Sequence, residues 1–319
     1  MDKKIPIVVI AGPTGVGKTA VSIELAKRFG AQIVSADSMQ IYKHMNIGTA
    51  KVTEAEAQGI VHHMIDIAEP TENFSVCDYV RRAAAVIADL HNHGMLPIIA
   101  GGTGLYVDSL VNGVEFAPGG GDEVYREELR KLADEKGAGF LHDMLRRVDP
   151  VSADKIHANN VKRVIRALEY YRTEGEPISA HNARSKAAPS PYDCLYICLT
   201  RDRAELYDRI NARVDAMIAD GLIDEVTHLI AMGATADNTS MQAIGYKEIV
   251  AYLNGDRTRD EAVEELKTNT RRYAKRQMTW FAPKADVTVN MSGTDGVDGA
   301  VRICAEHIQK FLDRRADES

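Results

Sequence analysis

Eight residues near the start of the chain, Gly12-Pro13-Thr14-Gly15-Val16-Gly17-Lys18-Thr19, have the types and spacing of a phosphate cradle, G-x-x-x-x-G-K-[ST]. Glycines let successive backbone N–H groups converge on an anion, and a helix beginning at Lys18 would add its positive end. Lys18 supplies a cation, and the Thr19 hydroxyl is placed to reach a Mg²⁺ ion on the phosphates. Gly12, Thr14, Gly15, Val16, Gly17, Lys18 and Thr19 are therefore candidate diphosphate contacts, with Thr19 the candidate metal ligand. Asp37, in Asp37-Ser38-Met39-Gln40, is a carboxylate suited to proton transfer. Thr103, among Gly101, Gly102 and Gly104, is a hydroxyl in a turn open enough for close approach of a ligand. Arg209 and Arg213 lie four residues apart, on one face of a helix, where they can meet negative charge.

These groups need a frame. Ile5 to Ala11 is short, β-branched and almost wholly apolar, the pattern of a buried strand. Val21, Leu25, Ala26 and Phe29 then recur at helical spacing and stop at Gly30. Ala31 to Ala36 and Leu96 to Ala100 read as further strands, and each delivers candidate site residues at its carboxyl end, where open α/β sheets bind ligands. The pattern predicts an α/β fold, a P-loop NTPase-like parallel sheet flanked by helices. Alternation stops at Phe116-Ala117-Pro118-Gly119-Gly120-Gly121, and Asp122 to Glu174 has only helical spacing, as in Val161, Ile165, Leu168 and Tyr171. Tyr192 to Thr200 is again strand-like. Residues 1–117 and 192–319 therefore read as one catalytic core, interrupted by an all-helical insertion at 118–191. Thr258 and Glu261 form a capping box for a last long helix striped by Val263, Leu266, Thr270, Tyr273 and Gln277. The tail from Arg314 is expected to fray. His62 and His63, adjacent on a short strand, would point to opposite faces and so not share a metal.

The chain has 319 residues, 45% of them apolar, enough for a proper core. Its net charge of −7 argues by itself against a nucleic-acid partner. Local runs argue the other way: Lys162, Arg163, Arg166 and Arg172 face only Glu169, and Lys267 to Arg276 holds five cations without an acid. Cys77, Cys194, Cys198 and Cys304 form no C-x-x-C pair, which indicates neither a disulfide framework nor a zinc site. No run approaches the roughly 18 apolar residues of a membrane span, and Met1 to Lys4 leads straight into a strand, so a cytoplasmic protein is expected.

A phosphate loop most often serves phosphoryl transfer from ATP, but the strand Leu96 to Ala100 ends in glycine where such enzymes commonly carry a metal-binding carboxylate. A small-molecule kinase nonetheless stays open. The same loop could instead hold the diphosphate of an activated alkyl donor that a nucleophile displaces at carbon. Lys18, Arg213 and the Thr103 hydroxyl would then meet charge growing on the bridging oxygen, with Mg²⁺ near Thr19, and Asp37 would serve an attacking amine.

Several motifs in order make the chain resemble the bacterial tRNA dimethylallyltransferase, or tRNA isopentenyltransferase, family over almost its whole length. They are Gly12 to Thr19, Asp37 to Tyr42, His62 to Asp66, Ala100 to Tyr106, Ile244 to Glu248, and Tyr273 to Trp280. One departure is Gly15-Val16, where the family usually has Ala-Ser, which would remove a hydroxyl from the loop.

The resemblance implies transfer of a dimethylallyl group from dimethylallyl diphosphate to the exocyclic N6 amine of the adenosine 3′ to the anticodon, with release of diphosphate. It implies Asp37 as general base, Thr103 at the bridging oxygen or the adenosine, and Lys18, Thr19 and Arg213 on diphosphate and Mg²⁺, although Arg209 shares the helix face. It implies tRNA contacts from Asp37, Ser38, Met39, Gln40 and Thr103 around the flipped base. Further tRNA contacts are implied for Tyr125, Asn159, Asn160, Lys162, Arg163 and Arg166 of the insertion, for Gly245, Tyr246 and Lys247, and for Lys275, Arg276, Gln277 and Trp280. A monomer with tRNA and dimethylallyl diphosphate as partners is expected. The rival readings are an adenine-nucleotide prenyltransferase, against which the basic insertion argues, a P-loop kinase, and a non-catalytic RNA-binding ATPase.

Overall fold

The computed structural model describes residues 4–317 except 115 and 117–121, and for Lys186 the backbone only. The proline-glycine run expected to mark a boundary therefore lies, from Ala117 on, outside the described residues. The chain divides into two compact units, residues 1–111 with 191–319, and residues 112–190.

The larger unit is built on six parallel strands: β1 (Ile5–Ala11), β2 (Gln32–Ser35), β3 (His62–His63), β4 (Pro97–Gly101), β5 (Tyr192–Thr200) and β6 (Val287–Asn290), in the order β3-β2-β4-β1-β5-β6. Parallel strands covered on both faces can be apolar throughout, which explains the unbroken Ile-Val-Val-Ile of β1. Its side chains alternate between two cores. Val8 and Ile10 join one with Val16, Leu25, Leu199 and Ile308; Ile7 and Val9 join the other with Tyr79, Val107 and Phe281. Each such fully buried Ile or Val contributes roughly 1.5–3 kcal/mol of burial before chain entropy is counted.

Helices α1 (Lys18–Phe29), α2 (Glu54–Ala57), α3 (Val76–Asn92) and α4 (Gly104–Val111) connect the early strands. Helix α1 ends at Gly30, whose left-handed backbone (φ 59°) lets its N–H donate to Ala26. After β5 come α10 (Arg203–Ala219), α11 (Leu222–Ala231), α12 (Tyr246–Leu253), α13 (Arg259–Phe281) and α14 (Gly296–Asp317). The capping box at the start of α13 forms as expected, with Thr258 Oγ1 accepting from the Glu261 N–H and Glu261 accepting from Thr258 N–H. The expected fraying from Arg314 does not occur before Asp317: Arg314 and Arg315 both pair with Asp193 at the start of β5 and hold the last turns of α14 down.

A third core was not visible in the periodicity. Ile41, Tyr42 and Met45, from the irregular segment after β2, pack with Val214, Leu222, Val226, Tyr246, Ile249 and Leu266 from four helices. It fixes the segment 39–52 beside the carboxyl ends of the sheet.

The second unit contains α5 (Glu123–Lys136), α6 (Ala138–Val148), α7 (Pro150–Lys155), α8 (Val161–Glu174) and α9 (Ile178–Ala187) around Leu129, Leu141, Leu145, Val164 and Leu168. Two buried carboxylates brace it. Glu169 accepts from Arg126, Arg166 and the Asp122 N–H, and Asp149 accepts from the backbone N–H and hydroxyl of both Ser152 and Ser179. The Ser152 and Ser179 bonds hold the Asp149 carboxyl below its usual range against the opposing effect of burial, which is the larger single influence.

Candidate active site

Three strand ends converge. The turn after β1 is the phosphate loop, the turn after β2 carries Asp37 and Ser38, and the turn after β4 carries Gly102 and Thr103. Gly17 adopts φ 112° at the N-cap of α1, a conformation that aims the following N–H groups into the loop and that a side chain would strain. Gly101 is forced by packing: a Cβ there would sit 2.3 Å from the Ala36 carbonyl oxygen, so only glycine lets the β2 and β4 turns meet. Thr103 completes that meeting, since its backbone N–H donates to Ala36 and its Oγ1 accepts from the Ser38 N–H at 2.9 Å. Asp37 Oδ1 accepts from the Met39 N–H at 2.9 Å, which fixes the carboxylate and leaves Oδ2 for the cavity.

Two cavities adjoin here, of about 580 and 590 Å³, and both are lined by Thr14, Asp37, Thr49, Ala50, Arg213 and Tyr273. The first continues over Gly15, Gly17, Lys18, Thr19 and Arg209, with apolar wall from Ile33, Val52, Ala100 and Ala212. The second continues over Ser38, Met39, Ile244 and Leu266, with hydrogen-bonding groups at Gln242, Asn269 and Thr270 and cations at Lys247, Arg272 and Arg276. Asp37 and Arg213 therefore stand where an anion-binding half meets a half suited to a polar aromatic ring.

The electrostatics are those of a site built for negative charge. Burial pushes Lys18 down to about 8, Arg213 beside it works in the same direction, and Asp37 opposes. Its Nζ donates to the Gly12 and Pro13 carbonyls. Burial likewise lowers Arg213, with Asp37 and Glu56 opposing. The two arginines of α10 separate: Arg209 Nε donates to the Gly15 carbonyl at 3.0 Å, whereas Arg213 lies in the wall common to both cavities. Arg201, at the end of β5, grips the Val16 carbonyl from the other side. Arg209 and Arg201 thus hold two consecutive carbonyls of the loop, and Lys18 holds those of Gly12 and Pro13.

Val16 does not line either cavity. Its side chain is fully buried in the core, so the hydroxyl expected to be missing at Gly15-Val16 would not have faced the anion. Three other expectations also change. Gln277, grouped by resemblance with the tRNA contacts, is buried under the site: its Oε1 accepts from the Thr14 N–H and its Nε2 donates to the Gly102 carbonyl. Gly245 is buried and lines neither cavity; Tyr246, packed in the third core, lines the second cavity, and Lys247 is exposed at it. Gln40 lines the first cavity, not the second, and its Nε2 donates to the Thr49 and Ala50 carbonyls.

Lys275, Arg276 and Trp280 are exposed along α13, and Lys284 lies 4.3 Å over the Trp280 ring. In the second unit Asn159, Lys162 and Arg163 are exposed, and Asn160 caps α8 by accepting from the Arg163 N–H. Arg172 stacks on Tyr125 at 4.1 Å, and Arg166 is tied to Glu169. His62 and His63 each use a ring nitrogen on protein, Ile60 O and Gln32 Oε1, and His62 also lines the first cavity. Among the described residues, no group of three or more His, Cys, Asp and Glu is arranged to hold a metal.

Sequence reasoning missed Tyr273 as a site residue. It lies one turn before Gln277 on the same stripe, lines both cavities and donates its hydroxyl to the Gly102 carbonyl. Burial, with Asp37 nearby, pushes that hydroxyl up to about 12, so it stays a donor. The signal was present as a polar pair on an otherwise apolar helix face. Because Gln277 bridges the phosphate loop and the Gly102 turn, Gln277→Ala is expected to lower kcat about 10–100-fold with the melting temperature changed by only a few degrees. Steady-state kinetics beside thermal unfolding checks this.

Comparison with known proteins agrees with this geometry. A model of the IPP transferase family matches residues 40–284. The chain is 53% identical over 279 residues to a tRNA dimethylallyltransferase of Caldanaerobacter subterraneus subsp. tengcongensis, covering 87% of this chain and 89% of that one. The full-length tRNA isopentenylpyrophosphate transferase from Bacillus halodurans superposes with a TM-score of 0.75 at 44% identity, over 98% of this chain and 99% of its own. A eukaryotic dimethylallyltransferase crystallised acting on tRNA gives a TM-score of 0.81 at 29% identity, over 96% of this chain and 80% of its own. With a family match across most of its length and this agreement in sequence and fold, the chain belongs to the IPP transferase family.

Proposed function

We propose that the protein transfers a dimethylallyl group from dimethylallyl diphosphate to the N6 amine of the adenosine 3′ to the anticodon of tRNA. The observation that carries this reading is the meeting of the two cavities at Asp37, with an anion cradle on one side and a polar, cation-rimmed pocket on the other. The relatives named for this reaction, and the neighbour caught acting on tRNA, support it.

In this reading the donor fills the first cavity, its diphosphate on the loop N–H groups, Lys18 and Arg213, and its hydrocarbon against Ile33, Val52 and Ala100. The flipped adenosine enters the second, against Met39 and Ser38. Extruding a loop base costs only a few kcal/mol, and the amine cannot reach carbon while stacked. The N6 nitrogen forms its bond to C1 as the C1–oxygen bond breaks. The bond pair stays on the bridging oxygen, where Lys18, Arg213 and the Thr103 hydroxyl receive it, and the amine proton passes to Asp37. Mg²⁺ keeps most of its waters and takes few protein oxygens alongside phosphate, so the exposed Thr19 hydroxyl on the cavity wall, with Asp37 nearby, fits it. When bound it neutralises charge on the departing diphosphate.

Lys162, Arg163, Asn159 and Asn160 of the helical unit, with Lys247, Lys275, Arg276 and Trp280, supply contacts to the tRNA backbone and loop bases. A tRNA substrate supports a cytoplasmic enzyme, and the meeting of both cavities within one chain supports a monomer.

Mass analysis of nucleosides after incubation with dimethylallyl diphosphate, Mg²⁺ and an unmodified anticodon stem-loop bearing adenosines 3′ to the anticodon tests the reading. Prenylated adenosine at that position is expected, with AMP a far poorer acceptor. Equal use of AMP would support the adenine-nucleotide prenyltransferase instead, and acceptor-dependent release of ADP from ATP would support a kinase.

A further inference from the structure

An irregular segment, residues 46–50, supplies wall to both cavities, and one of its anchors reaches it from a distant helix. Asn46, Ile47 and Gly48 present three successive backbone N–H groups to the carboxylate of Glu225, on α11, at 2.8, 2.8 and 3.1 Å. Such a run of N–H groups is a nest that binds anions in other proteins; here the anion is a side chain 177 to 179 residues away. Tyr246 closes the arrangement by donating its hydroxyl to Glu225 Oε1 at 2.7 Å, and burial next to Glu225 keeps that hydroxyl protonated by raising it well above its ordinary value. The fit is close: a Cβ on Gly48 would lie 2.6 Å from the Tyr246 ring.

The next two residues, Thr49 and Ala50, line both cavities, and Ala50 is held at φ 47°, a left-handed conformation an alanine adopts only when its surroundings require it. Their carbonyls accept from Gln40, three residues after Asp37. Glu225, the nest, the cavity wall and the Asp37 turn thus form one connected chain of contacts. Asn46 lies at the surface and Ile47 and Gly48 are half-buried, so water can reach the Asn46 N–H when Glu225 is removed.

We infer that Glu225 is a positioning residue for the transfer reaction: through the 46–48 nest it sets the cavity wall that holds donor and acceptor against each other at Asp37. The inference rests on the proposed function, and two readouts keep the two apart. In the full-length protein, Glu225→Gln and Glu225→Ala are expected to lower kcat about 10–100-fold with smaller changes in KM for tRNA, because sub-ångström misalignment of reacting groups acts mainly on turnover. Tyr246→Phe, which keeps the ring and removes one contact, is expected to lower kcat about threefold to tenfold. Hydrogen exchange provides the arm that needs no activity: amides 46–48 are expected to exchange slowly in the parent and at least tenfold faster in the Glu225 variants, with the sheet and α13 unchanged. If the variants fold and kcat stays within twofold of an active parent, or if amides 46–48 remain equally protected, the inference is overturned. An inactive parent would count against the proposed function alone, and exchange would still decide the role of Glu225.

Discussion

Asp37→Asn is expected to lower kcat by about 10²–10⁴-fold while leaving stem-loop binding within a few-fold of the parent, the range that removal of a general base produces. Asparagine is the informative substitution because Asp37 has two jobs. Its Oδ1 accepts from the Met39 N–H and so shapes the turn, and an amide oxygen can continue to do so. An amide cannot take the proton of the attacking amine. Alanine would remove both functions and mix a loosened turn with lost proton transfer. The measurement is single-turnover prenylation with saturating donor, beside a filter-binding titration of the stem-loop. Near-parental turnover in Asp37→Asn would sink the assignment of Asp37 as base and leave it a turn-forming residue only.

Lys18→Met should cost about 10²–10³-fold in kcat/KM for dimethylallyl diphosphate, the magnitude expected when a buried donor to a leaving group is removed. A pH profile makes the prediction sharper. Burial holds Lys18 at about 8 in the free protein, so the amine is charged below that pH and neutral above it. The diphosphate binds the charged form. The kcat/KM of the parent should therefore fall as pH rises past about 8, and donor binding at pH 9 should take up a proton, seen by calorimetry in buffers of different ionisation enthalpy. The variant should lose that limb. Stability moves the opposite way: the unfolded chain holds the Lys18 proton more tightly, so the lysine costs stability below about pH 8 and that cost fades toward pH 10.5. Lys18→Met should consequently be at least as stable as the parent at neutral pH. A parent profile flat through pH 8 to 9.5 would remove Lys18 from the leaving-group contacts.

Much of the frame was legible because it is written in short-range pattern. Strand β1, helix α1 and its stop at Gly30, the capping box of α13 and the helical character of 123–174 all follow from contacts within a turn or along one strand. The phosphate loop was legible for the same reason, since glycine spacing and the flanking elements are local. Asp37 and Thr103 were legible one step further, because the rule that parallel sheets bind at strand carboxyl ends converts strand positions into neighbours.

Which side chains close the site was decided by tertiary structure. Gln277 meets Thr14 across 263 residues and Glu225 meets the 46–48 nest across 177 to 179, and no periodicity within either segment specifies such a partner. Periodicity placed Gln277 and Tyr273 on one face of α13, and placed Arg209 and Arg213 on one face of α10. The tilt and depth of each helix on the sheet then determined that Gln277 lies under both loops, that Arg209 holds the Gly15 carbonyl, and that Arg213 alone of that pair enters the shared wall. The sequence by itself determined an anion cradle on a parallel α/β sheet, since backbone N–H geometry depends on neighbouring residues. Only the packing of the third core against the sheet placed the second cavity beside that cradle, with Asp37 between them, because the cavity's walls come from segments that meet in space alone.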